Sequence, residues 1–195
     1  FQIYSASAGS GKTFTLVKEY LKILLQNNNP FKFQEILAVT FTNKAAKEMK
    51  ERVLKLLKTS DLNLSMGTFH SICARVLRED IDVLGFSRHF AIYDVKDQLD
   101  LIKVLFESFE ISKNLITPNQ LRNQISLFKN KMMDSKELES KAKTILEKTV
   151  SKIYKEYQKN LKLNDALDFD DLLTFPLEIF KKKPFVINFQ IRIFG

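Results

Sequence analysis

With 195 residues, 45% of them hydrophobic, the chain can bury a core of domain size, which excludes global disorder. Its single cysteine, Cys73, excludes an intramolecular disulfide and a cysteine-based zinc site and fits a reducing cytoplasm. The net charge of +8 excludes an acidic solvating protein and leaves two readings, a solvated basic surface or a polyanion partner.

Phe1 to Tyr4 reads as a short strand that runs into Ala6-Ser7-Ala8-Gly9-Ser10-Gly11-Lys12-Thr13. This is the spelling of a P-loop: a small residue, four others, then Gly-Lys-Ser/Thr. Its glycines let backbone N–H groups wrap phosphates, and the helix that follows adds the positive end of its dipole. Lys12 reaches the β- and γ-phosphates and Thr13 offers its hydroxyl to Mg²⁺ in this reading, with ATP as the nucleotide. That helix starts near Thr13, carries Val17, Tyr20, Leu21, Leu24 and Leu25 on its apolar face, and ends at Asn27-Asn28-Asn29-Pro30.

Ile36 to Thr40 is a continuous apolar run that suits a parallel strand buried on both faces. Thr42 or Asn43 caps the next helix, whose buried side is Ala46, Met49, Val53, Leu56 and Leu57. A third strand around Leu62 to Met66 ends at Gly67, and a helix through Ile72, Cys73, Val76 and Leu77 follows, with Cys73 on its apolar stripe. Strands alternating with helices predict an α/β fold with a parallel sheet.

Two segments after strands carry candidate binding groups. Thr40-Phe41-Thr42-Asn43-Lys44 offers a ring that can stack on a base and donors for phosphates, although an aromatic in this place also fits a core. Gly67-Thr68-Phe69-His70-Ser71 offers hydroxyls, an imidazole and helix-start amides. His89 is the only other histidine, which leaves no histidine-based metal site and no evident nucleophile partner for His70.

After Gly85 the periodicity is helical apart from a brief extended piece at Ala91-Ile92-Tyr93. The faces are Leu99, Ile102, Leu105 and Phe106; then Leu121, Ile125 and Phe128 after Pro118; then Ile145, Leu146, Val150, Ile153, Tyr157 and Leu161. Between residues 129 and 162 stand ten lysines and five acids, a basic block suited to phosphates. Asp168-Phe169-Asp170-Asp171-Leu172-Leu173 opens a further helix that Pro176 should kink or end, and Val186 to Phe194 is rich in strand formers. No apolar run approaches the ~18 residues of a membrane span.

Taken in order, Ser5 to Thr13, Ile36 to Ala46, Gly67 to Ser71 and Asp168 to Leu172 resemble superfamily 1 DNA helicases of the UvrD/Rep type. Ser7 and the Phe14 that follows Thr13 look closer to the RecB/AddA branch. The resemblance implies a RecA-like P-loop motor domain, residues 1–86 and 164–195, interrupted by an all-helical insertion domain, residues 87–163. It implies ATP and Mg²⁺ at Lys12 and Thr13. It implies a single-stranded DNA path along Thr40, Phe41, Thr42, Asn43 and Lys44 with Thr68, Phe69 and His70. It further implies 3′ to 5′ movement, duplex unwinding, a role such as DNA repair, and other helicase or nuclease subunits as partners. The family's adenine-contacting Gln, its acidic Mg²⁺-holding strand and its later motifs fall outside these residues, and Phe185 to Gly195 matches poorly. The chain therefore reads as the N-terminal region of such an enzyme, inactive alone, a fragment or a gene product cut short. The alternative is a catalytically inactive nucleotide- or DNA-binding module. A small-molecule kinase or GTPase shares only the P-loop.

Overall fold

The structure is a computed structural model that describes residues 11–25, 36–60, 62 and 64–183. The strands expected at Phe1 to Tyr4 and Val186 to Phe194, and the helix stop at Asn27 to Pro30, lie outside the described residues. Contacts divide the chain into two compact units, Phe1–Arg75 with Phe180–Gly195, and Val76–Ile179.

In the first unit, α1 (Lys12–Leu25), β1 (Leu37–Thr40), α2 (Asn43–Leu56), β2 (Ser65–Thr68) and the start of α3 (Phe69–Asp80) alternate in chain order. β1 and β2 pair in parallel, with Thr40 opposite Thr68. Val17 and Tyr20 of α1, Ile36 and Ala38 about β1, and Met49 and Val53 of α2 form one buried cluster with Leu64. The burial of β1 is one-sided among the described residues: Ala38 is buried, while Leu37 and Val39 are half-buried. Leu25 and Leu56, expected on apolar faces, are 66% and 59% exposed because each stands at the end of its helix, past the reach of the cluster.

The third strand lies two or three residues later than expected, and Gly67 belongs to it rather than ending it. A Cβ at Gly67 would stand 2.5 Å from Ser71 Oγ and 3.3 Å from Ile72 Cδ1. Ser71 Oγ accepts a hydrogen bond from Thr68 N–H at 2.8 Å and donates to the Thr68 carbonyl at 2.9 Å, so the missing side chain makes room for the start of α3. Gly67→Ala is expected to cost about 1–3 kcal/mol through overpacking. Thermal melting checks it, and a variant as stable as the parent would remove this role.

The second unit holds the rest of α3, a short 3-10 helix (Ile81–Leu84), β3 (Ala91–Tyr93), α4 (Val95–Ser108), α5 (Pro118–Asn130), α6 (Ser135–Lys141), α7 (Ile145–Leu163), β4 (Ala166–Asp168) and most of α8 (Phe169–Lys182). Local chemistry sets the helix starts. Asp94, Thr117 and Thr144 each form reciprocal capping boxes with Asp97, Gln120 and Glu147, and Asp134 caps α6. Each such cap is worth about 1 kcal/mol. Ile102, Leu105, Phe106, Leu121, Ile125, Val150, Ile153, Tyr157 and Leu161 share one core with Ala166 of β4.

Two expectations change here, and one element is new. Ile145 is 76% exposed, so the buried face of α7 begins at Val150, in the second turn of the helix. Of the two outcomes expected at Pro176, a kink or an end, the end does not occur: α8 runs through it. A proline forgoes one helical hydrogen bond, but Leu172, Pro176 and Ile179 are all buried along that side, which offsets the loss. β4 was not foreseen; its three residues pair in parallel with β3, Asp168 opposite Tyr93. Among the described residues no helix is long and apolar enough to cross a membrane.

Candidate nucleotide and nucleic-acid sites

Of the loop residues, Ala6, Ser7, Ala8, Gly9 and Ser10 lie outside the described residues. Gly11 has φ of 80°, a conformation that costs glycine little and other residues more. It delivers the chain into α1, whose ladder begins with Thr15 N–H donating to the Gly11 carbonyl at 3.0 Å. α1 has no acidic residue in its first turn, and Thr13, its second residue, is half-buried. A left-handed glycine, an acid-free helix start and a hydroxyl at this position fit a magnesium-bound polyphosphate.

The second site follows from register. Because Thr40 and Thr68 are partners in a parallel pair, the residues after each strand leave the same edge of the sheet side by side. Those residues are Phe41 and Phe69. Their ring centroids are 6.3 Å apart and tilted by 50°. Phe41 is 91% exposed and Phe69 53% exposed, so neither ring is a core residue. Next to them Asn43 and Lys44, the first two residues of α2, are both exposed.

The neighbouring hydroxyls have local work. Thr42 Oγ1 accepts from Ala45 N–H at 3.2 Å and caps α2. Thr68 is buried and its Oγ1 accepts from Ser71 N–H at 3.2 Å, at the start of α3. Thr40 ends β1 half-buried, and His70 is half-buried in the first turn of α3. Phe41, Thr42, Asn43, Lys44 and Phe69 are thus exposed at the ends of the paired strands, while Thr68 is buried beneath the start of α3.

A model of the UvrD/REP helicase N-terminal domain matches residues 2–192. The chain belongs to this family. The match extends into the segment after Phe185, whose spelling looked poor. Among relatives of this UvrD/REP-type chain is the ATP-dependent DNA helicase PcrA of Bacillus subtilis, 39% identical over 190 residues, 97% of this chain and 25% of that protein. PcrA of Staphylococcus epidermidis and of Staphylococcus aureus are each 38% identical over 185 residues, 94% of this chain and 25% of theirs. The chain spans about a quarter of the length of the curated relatives it matches.

One constellation in the second unit escaped sequence reasoning. Lys129, counted in the basic block as a phosphate contact, is buried. Its ammonium donates to Asp168 Oδ2 at 2.6 Å and to Asp171 Oδ1 at 2.8 Å. Tyr157 donates its hydroxyl to Asp168 Oδ2 at 3.0 Å. Asp168 and Asp171 also exchange backbone bonds: Asp171 N–H to Asp168 Oδ1 at 2.9 Å, and Asp168 N–H to Asp171 Oδ2 at 3.2 Å. The Asp-x-x-Asp spacing was the available signal, a reciprocal cap at the start of α8. Nothing in the spelling of residues 129–162 separates Lys129 from the nine other lysines.

Proposed function

We propose that this chain is the ATP-binding front region of an ATP-dependent DNA helicase, with ATP at Ala6 to Thr13, Mg²⁺ at Thr13, and single-stranded DNA along Phe41, Asn43, Lys44 and Phe69. The observation that carries the DNA part is the exposed ring pair at one sheet edge, with an exposed lysine and amide beside it. Exposed aromatic rings stack on bases of any identity, and a nearby cation meets the backbone. Thr40, Thr42, Thr68 and His70 flank the pair on the same path, and Thr42 and Thr68 also hold the starts of α2 and α3.

The family membership and the PcrA relatives support the nucleotide part, together with the fit of Gly11, α1 and Thr13 to a magnesium-bound polyphosphate. When bound, the triphosphate supplies the free energy for movement, and this chain's residues hold its phosphates. On this reading residues 1–86 and 164–195 belong to a RecA-like motor domain, and residues 87–163 are its helical insertion. Movement 3′ to 5′, unwinding, DNA repair, cytoplasmic residence and other helicase or nuclease subunits as partners belong to the same proposal for the whole enzyme.

Lys12→Ala is expected to weaken magnesium-dependent ATP binding about tenfold or more, because a charge-assisted contact worth roughly 1.5–3 kcal/mol is lost. Calorimetry on the chain with ATP, with and without Mg²⁺, measures it. Equal affinity in parent and variant would refute the nucleotide assignment.

A further inference from the structure

The cluster in the second unit has an imbalance of charge. One ammonium, Lys129, faces two carboxylates, Asp168 and Asp171, all three nearly excluded from solvent. A buried net charge is costly unless it is neutralised. Among the described residues, Lys129 is the one cation that acts on the two carboxyls. From α7 come Tyr154, Tyr157 and Gln158; from β4 comes Asp168; from α8 come Asp170 and Glu178, and from the cap of α6 Asp134, which add negative charge; from β3 comes Tyr93, in register with Asp168.

A half-buried polar side chain borders the cluster. Gln158 Nε2 donates to Asp171 Oδ1 at 3.4 Å, while Gln158 Oε1 is buried and has no donor. Surplus negative charge in a cluster closed to solvent is removed by binding one proton on a carboxylate.

We propose that Asp171 binds this proton in the folded protein, which makes the Lys129–Asp168–Asp171 cluster a proton-dependent tie between α5, α7 and the turn from β4 into α8. Losing the proton to solvent leaves a net buried charge and loosens that tie. The electrostatics agree. Burial, with the Asp168 charge beside it, raises the Asp171 carboxyl to about 7 in spite of Lys129. Burial also opposes the charge on Asp168, but the ammonium and the hydrogen bonds from Lys129, the Asp171 backbone and Tyr157 outweigh it and hold Asp168 low. The two carboxyls are driven apart, so one of them keeps the proton.

The sign follows. A carboxyl whose folded value lies above its unfolded value of about 4 stabilises the fold when protonated. Stability is therefore lost as the pH rises from about 4 towards about 7, and levels off above that. Asp171→Asn keeps an acceptor and a donor but has no proton to lose. Between about pH 5 and about pH 7 the parent's Tm is expected to fall by several degrees more than that of the variant, the contributions of all other groups cancelling in the difference. In parallel, difference infrared spectroscopy of the parent at about pH 5.5 should show the carbonyl band of a buried protonated carboxyl that vanishes by about pH 8. Equal pH slopes in parent and variant would overturn the proposal. Should Asp171→Asn fail to fold, the parent's infrared titration decides alone, and the lack of a buried protonated carboxyl would overturn it equally.

Discussion

Lys129→Met should destabilise the chain by about 3–5 kcal/mol, the range for removing one member of a buried ion pair. The reason is not the strength of the two bonds it makes. Methionine matches the stem of lysine, so packing against Tyr157 is kept, with the Lys129 ammonium now 5.1 Å from that ring's centroid. What changes is that Asp168 and Asp171 stay buried with no cation beside them. Either they hold further protons, or the turn from β4 into α8 opens to water. Both cost stability. In a chain of this size the loss corresponds to a Tm drop of roughly 10 °C. The control is the triple variant Lys129→Met, Asp168→Asn, Asp171→Asn, in which the surplus charge is gone. It should regain a large part of the loss, because neutral amides can keep the bonds to the Asp168 and Asp171 backbone positions. A single variant that melts within about 1 kcal/mol of the parent would show that water reaches the cluster freely.

Phe41→Ala should weaken single-stranded DNA binding by about 1–3 kcal/mol, or roughly fivefold to 150-fold, with the melting temperature unchanged. A ring that is 91% exposed makes almost no contribution to the core, so its removal does not unfold the sheet edge. Its loss also exposes Phe69 on its own, since the two rings are partners at 6.3 Å. The dependence on salt should stay as it was, because a stacking contact displaces no counterions. Lys44→Ala is the opposite case: binding weakens and the salt slope flattens by about 0.7. Fluorescence anisotropy with an oligothymidine strand over a salt series, beside thermal melts of each variant, separates the two effects. Normal DNA affinity in Phe41→Ala would end the stacking proposal, and a large fall in melting temperature would show that the ring supports the fold.

The sequence alone determined the elements whose cause is local. Hydrophobic spacing marked α1, α2, α4, α5 and most of α7, and the capping hydroxyl of Thr42 marked the start of α2 through atoms three residues apart. It also placed the two motifs after strands, since a binding segment at a strand end is written in consecutive residues. Tertiary structure decided whatever depends on residues far apart in the chain. β4 is three residues long and forms because β3, over 70 positions earlier, pairs with it. Phe41 and Phe69 become neighbours only through the register of β1 against β2. Whether a lysine meets water or a carboxylate is likewise a long-range matter: Lys129 stands 39 residues before Asp168 and 42 before Asp171, and burial of all three reverses the role that its basic surroundings suggest. A charge pattern reports only how many cations a segment holds, while desolvation, set by what packs over each one, decides which of them can meet phosphate.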